Sequence, residues 1–204
     1  MNKKTKNILI IGSISIAFFL LMLYKRKKEE EEEQKENKNM FKDKADYLKK
    51  ILPFAKEIEQ TYKIPYLFLL AQTAIETGFG KHTPGNNFGG VKAKEGQPFN
   101  LLWTTEHVKD PAKFPNRDKT KDKLLPNGKT SIRVQQKFAK YPDVETGLNA
   151  YIKILLLDRY KAAFNYTDPK LFAAEIKKGG YATDINYTAK LGKMIDEIKT
   201  TLKA

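Results

Sequence analysis

The sequence predicts a mainly helical α+β domain, with helices first, a small β insert, and then helices again. Three observations predict it. Apolar residues recur at helical spacing on both sides of a middle stretch, 81–141, where Gly, Pro, Asn and β-formers dominate. Helix caps stand at Asp143, after Pro142, and at the pair Asp168-Pro169. The 204 residues are 41% apolar, which supports one domain with a full core and excludes global disorder.

Composition narrows the chemistry. There is no cysteine, so disulfides, thiolate metal sites and a cysteine nucleophile are excluded. His82 and His107 are the only histidines, too few for a multi-histidine zinc site. No cofactor is expected. The formal charge is +14, which favours a polyanionic partner such as nucleic acid, an anionic membrane or an acidic wall polymer. No zinc-finger, phosphate-loop or RNA-recognition pattern is present, so nucleic acid is not expected.

The first 40 residues do not read as globular. Residues 1–7 are polar and basic. Residues 8–24 form an uncharged apolar run, whose 17 residues would span roughly 25 Å as a helix. No small-x-small cleavage site ends it; Leu21-Met22-Leu23-Tyr24 meets Lys25-Arg26-Lys27-Lys28 instead. The expectation is an uncleaved transmembrane helix at 8–24 contacting lipid, hence a single-pass membrane protein in a bacterial envelope or a virion membrane. Basic residues flank both sides, so no orientation follows. Five glutamates, Glu29 to Glu33, open a charged spacer over 25–40. The basic excess belongs mostly to 41–204, which keep 29 Lys+Arg against 18 Asp+Glu.

From Phe41 to Tyr62 the apolar spacing is helical, and Pro53 is expected to end one helix and open the next. Leu67, Leu70, Ala71, Ala74 and Ile75 form one stripe of a second helix, stopped by Gly78 and Gly80. Asn127-Gly128 marks a hairpin turn in the insert. Lys109 to Lys129 is a Lys-rich stretch expected as a solvated loop. A last helix is expected after a cap at Asp184, with Leu191, Ile195, Ile198 and Leu202 on one face.

Glu76 is the most informative single residue. It sits in the last turn of a helix, after an apolar stripe. The negative helix end and partial burial both disfavour a charged carboxylate, and a raised pKa suits a general acid.

The surrounding stretch, Leu70-Ala71-Gln72-Thr73-Ala74-Ile75-Glu76-Thr77-Gly78-Phe79-Gly80, resembles the catalytic-helix motif of lysozyme-like peptidoglycan hydrolases, and most closely glycoside hydrolase family 73, the β-N-acetylglucosaminidases. Asn86-Asn87-Phe88-Gly89-Gly90-Val91-Lys92-Ala93 resembles that family's Asn-Asn-x-Phe-Gly-Ile-Lys segment. Trp103-Thr104-Thr105-Glu106 is similar to its β-hairpin, and Phe138 to Tyr151 to the stretch re-entering the helical lobe. Gly179-Gly180-Tyr181-Ala182-Thr183-Asp184-Ile185-Asn186-Tyr187 resembles its Gly-Tyr-Ala-Thr-Asp-x-x-Tyr signature. The matches run in order from about Pro53 to Ile198. Gly89 departs from the usual Phe, and Ala139 from a common Arg.

The resemblance implies a lysozyme-like helical domain over 41–204 with a small β-hairpin lobe, cutting the glycan strand of bacterial peptidoglycan. It implies Glu76 as general acid, Glu106 as second carboxylate and Tyr181 as third catalytic member. Asn87, Phe88, Trp103 and Tyr187 would bind substrate, with Trp103 and Glu106 on one cleft wall. A muramidase or lytic transglycosylase on the same scaffold stays open, as does a non-catalytic wall-binding module. Both a bacterial envelope enzyme and a phage lysis or entry enzyme fit the layout.

Overall fold

The computed structural model describes residues 40–182 and 184–203, together with Tyr24 and Lys28. The chain divides between Met40 and Phe41 into two compact units, and the fold described here is that of the second. Its helices are α1 (Lys44–Tyr62), α2 (Tyr66–Thr77), α3 (Val144–Leu155), α4 (Pro169–Lys178) and α5 (Tyr187–Thr201). Strands β1 (Phe99–Val108), β2 (Arg117–Leu124) and β3 (Thr130–Ala139) lie between α2 and α3. The architecture is α+β and mainly helical, with a three-stranded antiparallel sheet in the order β1-β3-β2 where a lone hairpin was expected.

Among the described residues, no helix is long and apolar enough to cross a membrane. This overturns the single-pass membrane localisation expected from the sequence. The apolar run at 8–24, its lipid contact and the 25–40 spacer lie outside the described residues, Tyr24 and Lys28 excepted.

Helix α1 is continuous through Pro53, contrary to the expected break. Proline removes one hydrogen bond and strains the turn before it. Here that cost is outweighed by a buried stripe on both sides of it: Tyr47, Leu48 and Ile51 before, Ala55 and Ile58 after. Asp43 caps the helix, its carboxylate accepting from the Asp46 N–H.

Helix α2 is the centre of the domain and packs against α1, α4 and α5. Phe68, Leu69, Leu70, Ala71, Gln72, Thr73 and Ala74 are all buried, so it has no polar face in the usual sense. Each fully buried Leu or Phe there contributes about 1.5–3 kcal/mol. Ile75, expected on the apolar stripe, instead stands 40% exposed. The Tyr47 hydroxyl donates to Thr73 Oγ1 at 2.8 Å and so joins α1 to α2 inside the core.

The expected caps at Asp143 and Asp168 form, accepting from Thr146 N–H and from the Lys170 and Leu171 N–H groups respectively. Asp184 does not cap α5; Asn186 holds that position. Asp184 braces the turn before it by accepting from Asn186 N–H. The Lys-rich stretch 109–129 is not simply a loop, for β2 forms inside it as an edge strand. Alternating lysines keep such an edge from pairing with another chain. The turn at Asn127-Gly128 then leads into β3, closed by a bond from Leu125 N–H to Lys129 O.

Candidate active site

The C-terminal end of α2 sets the position of Glu76. Gly78 terminates the helix with φ 59°, a left-handed conformation that glycine adopts without strain. One turn earlier on the same face stands Gln72, fully buried. Its Nε2 donates to Glu76 Oε1 at 2.9 Å and to the Tyr181 hydroxyl at 3.2 Å. Its Oε1 accepts from the Tyr187 hydroxyl at 2.6 Å. Tyr181 also shares a hydrogen bond of 3.1 Å with the buried hydroxyl of Tyr151. A single buried amide thus fixes an acid and two phenols in one network.

Electrostatics follow from this packing. Glu76 keeps an open path to solvent, yet the surrounding protein desolvates it and pushes its carboxyl upward; the Gln72 hydrogen bond opposes that rise. Burial likewise pushes the Tyr181 phenol up to about 12, while its bond to Tyr151 acts the other way. Tyr187 and Tyr151 are raised further, again chiefly by burial. All three phenols therefore stay protonated at neutral pH; the Tyr187 hydroxyl donates to Gln72, and that of Tyr181 accepts from it.

Glu76 opens onto a recess of about 160 Å³, bounded also by His82, Asn87, Phe88, Leu102 and Phe138. The sheet forms one wall. Paired residues of antiparallel strands point the same way, so Leu102, Thr104 and Glu106 share a face with Gln136, Val134 and Ile132. Glu106 is on the face that meets the recess, but not in it. It lies four residues beyond Leu102, roughly 14 Å along the strand. Lys92 Nζ holds its Oε1 at 3.1 Å.

The remaining expected site residues are distributed differently. Tyr181 and Tyr187 join Glu76 as described, although the Tyr187 hydroxyl is spent on Gln72. Asn87 borders the recess, but its Nδ2 donates to Val91 O and Ala139 O, and its Oδ1 accepts from Val91 N–H. It braces the wall. Phe88 is 1% exposed and supports the recess from within the core, leaving little surface for a sugar. Trp103 is a clear correction: strand alternation turns it away from Leu102 and Glu106, onto the opposite face of the sheet.

Gln72, Tyr151 and His82 are among the site residues with no assignment from the sequence. Gln72 is legible there as a polar residue inside an apolar helix, four before a glutamate. Tyr151 and His82 carry no such mark. Tyr151 also accounts for the missing aromatic at position 89: a Cβ on Gly89 would meet Tyr151 Cδ2 at 2.3 Å. The Tyr151 ring occupies the space a side chain at 89 would need. Gly89→Ala should therefore cost about 1–3 kcal/mol by overpacking. Adding Tyr151→Ala should relieve part of the clash, which thermal unfolding of the single and double variants will measure.

Among the described residues, no group of three or more His, Asp or Glu side chains converges to hold a metal ion.

Comparison with known proteins matches these features to a family. The model of the family Glucosaminidase, described as mannosyl-glycoprotein endo-beta-N-acetylglucosaminidase, matches residues 52–200. A peptidoglycan hydrolase FlgJ of Salmonella typhimurium is 28% identical over 167 residues, covering 77% of this chain and 47% of that protein. The FlgJ of Pseudomonas aeruginosa is 25% identical over 165 residues, covering 80% of this chain and 39% of that protein. This chain thus spans about half the length, or less, of these curated relatives. The solved glycoside hydrolase domain of the Salmonella protein superposes with a TM-score of 0.60 at 25% identity, covering 79% of this chain and 91% of that one. A peptidoglycan hydrolase mutant from Sphingomonas sp. A1 gives 0.59 at 25% identity, covering 78% and 98%. With a family model matched from α1 to α5 and a fold to correspond, the chain belongs to the Glucosaminidase family, glycoside hydrolase family 73.

Proposed function

We propose that this chain hydrolyses the glycan strand of bacterial peptidoglycan at a β-1,4 bond, as an endo-β-N-acetylglucosaminidase. The observation that carries the reading is Glu76, a desolvated carboxyl fixed by Gln72 and facing an open recess. A carboxyl that holds its proton to higher pH can protonate the leaving glycosidic oxygen. The Tyr181 hydroxyl, one hydrogen bond away on the same amide, orients the sugar beside the scissile bond. Family membership and the names of the relatives support the substrate.

Glu106 is the second carboxylate in this reading. It would reach the sugar when the sheet closes on substrate, and lid motions of this kind are common in enzymes. Lys92 pairs with its carboxylate on the inner face until then. If Glu106 activates water, the closed carboxyl separation is roughly 6.5–9.5 Å and the product is inverted. Orientation of the substrate's acetamido group as an internal nucleophile would give retention.

The test is mass spectrometry of wall digests, with product stereochemistry by NMR on a soluble glycan. Reducing-end N-acetylglucosamine is expected. Reducing-end muramic acid or anhydro ends would replace the reading by a muramidase or a transglycosylase. Glu106→Gln should lower the rate by about 10²-fold; near-normal rates would remove Glu106 from the catalytic set.

A further inference from the structure

The outer face of the sheet is unlike an ordinary solvated surface. Phe99, Leu101 and Trp103 project from alternate positions of β1, away from the recess, and are 41%, 36% and 47% exposed. At about 3.4 Å per residue the two aromatic rings stand roughly 14 Å apart along one strand. β3 places cations beside them. The Arg133 guanidinium lies 5.7 Å from the centre of the Trp103 ring, and Lys137 Nζ lies 4.6 Å from that of Phe99. Asp118 of β2 is in register with Arg133 and is the acidic residue on this face of the paired strands.

Three large apolar side chains in a row on a half-open sheet mark an interaction surface. Their pairing with cations narrows its ligand. A flat ring receives the C–H face of a pyranose, and an adjacent guanidinium or ammonium meets a carboxylate. A polymer of sugars bearing carboxylates supplies both at once. The surface lies behind the sheet from Glu76, so it can hold a strand other than the one being cut.

We propose that the outer sheet face, centred on Phe99, Trp103, Arg133 and Lys137, is a second binding surface for peptidoglycan that retains the enzyme on the insoluble wall. This rests on the peptidoglycan reading above, and predicts a split between insoluble and soluble substrates.

The experiment uses the full chain and two double variants, Phe99→Ala with Trp103→Ala and Arg133→Glu with Lys137→Glu. Co-sedimentation with purified sacculi should weaken about ten-fold in each, as for loss of an aromatic or charged anchor. Wall clearance should slow, while the rate on a short soluble glycan stays at the wild-type value. Trp103→Tyr, which keeps a ring, should restore most of the retention. Added salt should weaken wild-type binding and leave the charge-reversed variant little changed.

Unchanged co-sedimentation in both variants overturns the proposal. So does an equal loss on soluble glycan, which would place these residues in the cutting reaction. Trp103-dependent binding to vesicles containing anionic lipid, without binding to sacculi, would assign the face to a membrane. A dimer of the wild type that both variants dissolve would assign it to a second copy. Retention on sacculi by a protein that cuts no glycan would sink the hydrolase reading and leave this surface standing.

Discussion

Glu76→Gln should abolish wall lysis, with a loss of about 10²-fold or more in rate, and leave the fold intact. The amide can still accept the Gln72 hydrogen bond, but it carries no transferable proton. Stability should move the other way. Burial raises the Glu76 carboxyl, so the folded state holds that proton more tightly than the unfolded chain. The resulting stabilisation is complete below the unfolded pKa and is lost as pH rises through the folded one. A neutral amide in place of the carboxyl escapes that loss. The variant should therefore be at least as heat-stable as the wild type at neutral pH, with any advantage vanishing in acid. The same sign governs activity: a proton donor fails as pH rises through its pKa, so the alkaline limb of the wild-type profile belongs to Glu76. Turbidity clearance and thermal unfolding across pH measure both. Clearance at near wild-type rate by the variant would sink the assignment.

Gln72→Leu should lower stability and rate together. It removes the acceptor of the Tyr187 hydroxyl and the donor to Glu76 and Tyr181. A buried polar group left without a partner costs about 1–3 kcal/mol. At about 2–4 °C per kcal/mol for a domain of this size, melting should fall by several degrees. The rate should drop by about ten-fold or more, because a catalytic group displaced by as little as 1 Å can lose about 10²-fold. A purely structural role would end there. A positioning role also moves the pH profile. The Gln72 bond holds the Glu76 carboxyl down, so its loss should shift the alkaline limb to higher pH. Gln72→Glu keeps an acceptor for Tyr187 and places a like charge beside Glu76, which should shift the limb further in the same direction. An alkaline limb unmoved in both variants would reduce Gln72 to packing.

The two effects share one cause. The phenols of Tyr151, Tyr181 and Tyr187 pack around Gln72, whose amide links Glu76 to Tyr181 and Tyr187. Tyr181 and Tyr187 also stack near each other, with ring centres 5.8 Å apart. In the hydrolytic reading proposed above, such a pre-arranged polar cluster would lower the reorganisation needed when charge develops on the leaving sugar.

Local chemistry fixed what the sequence by itself could determine. Caps at Asp143 and Asp168, the turn at Asn127-Gly128 and the stop at Gly78 depend on residues a few positions apart, so they are legible directly. Glu76 is legible for the same reason, as the last-turn carboxylate of an apolar helix. Tertiary structure decided the rest. Pro53 sits inside α1 because burial on both sides of it outweighs one missing hydrogen bond. The Lys-rich stretch yields an edge strand because β3 offers it a partner. Gln72 meets Tyr181 and Tyr187 across more than 100 positions of chain, which no local spacing encodes. Trp103 and Glu106 are three residues apart and are expected on one wall from their motif, but an odd separation on a strand sends them to opposite faces. Motif proximity names the residues; the pleat of the sheet and the packing of distant helices decide which of them share a face.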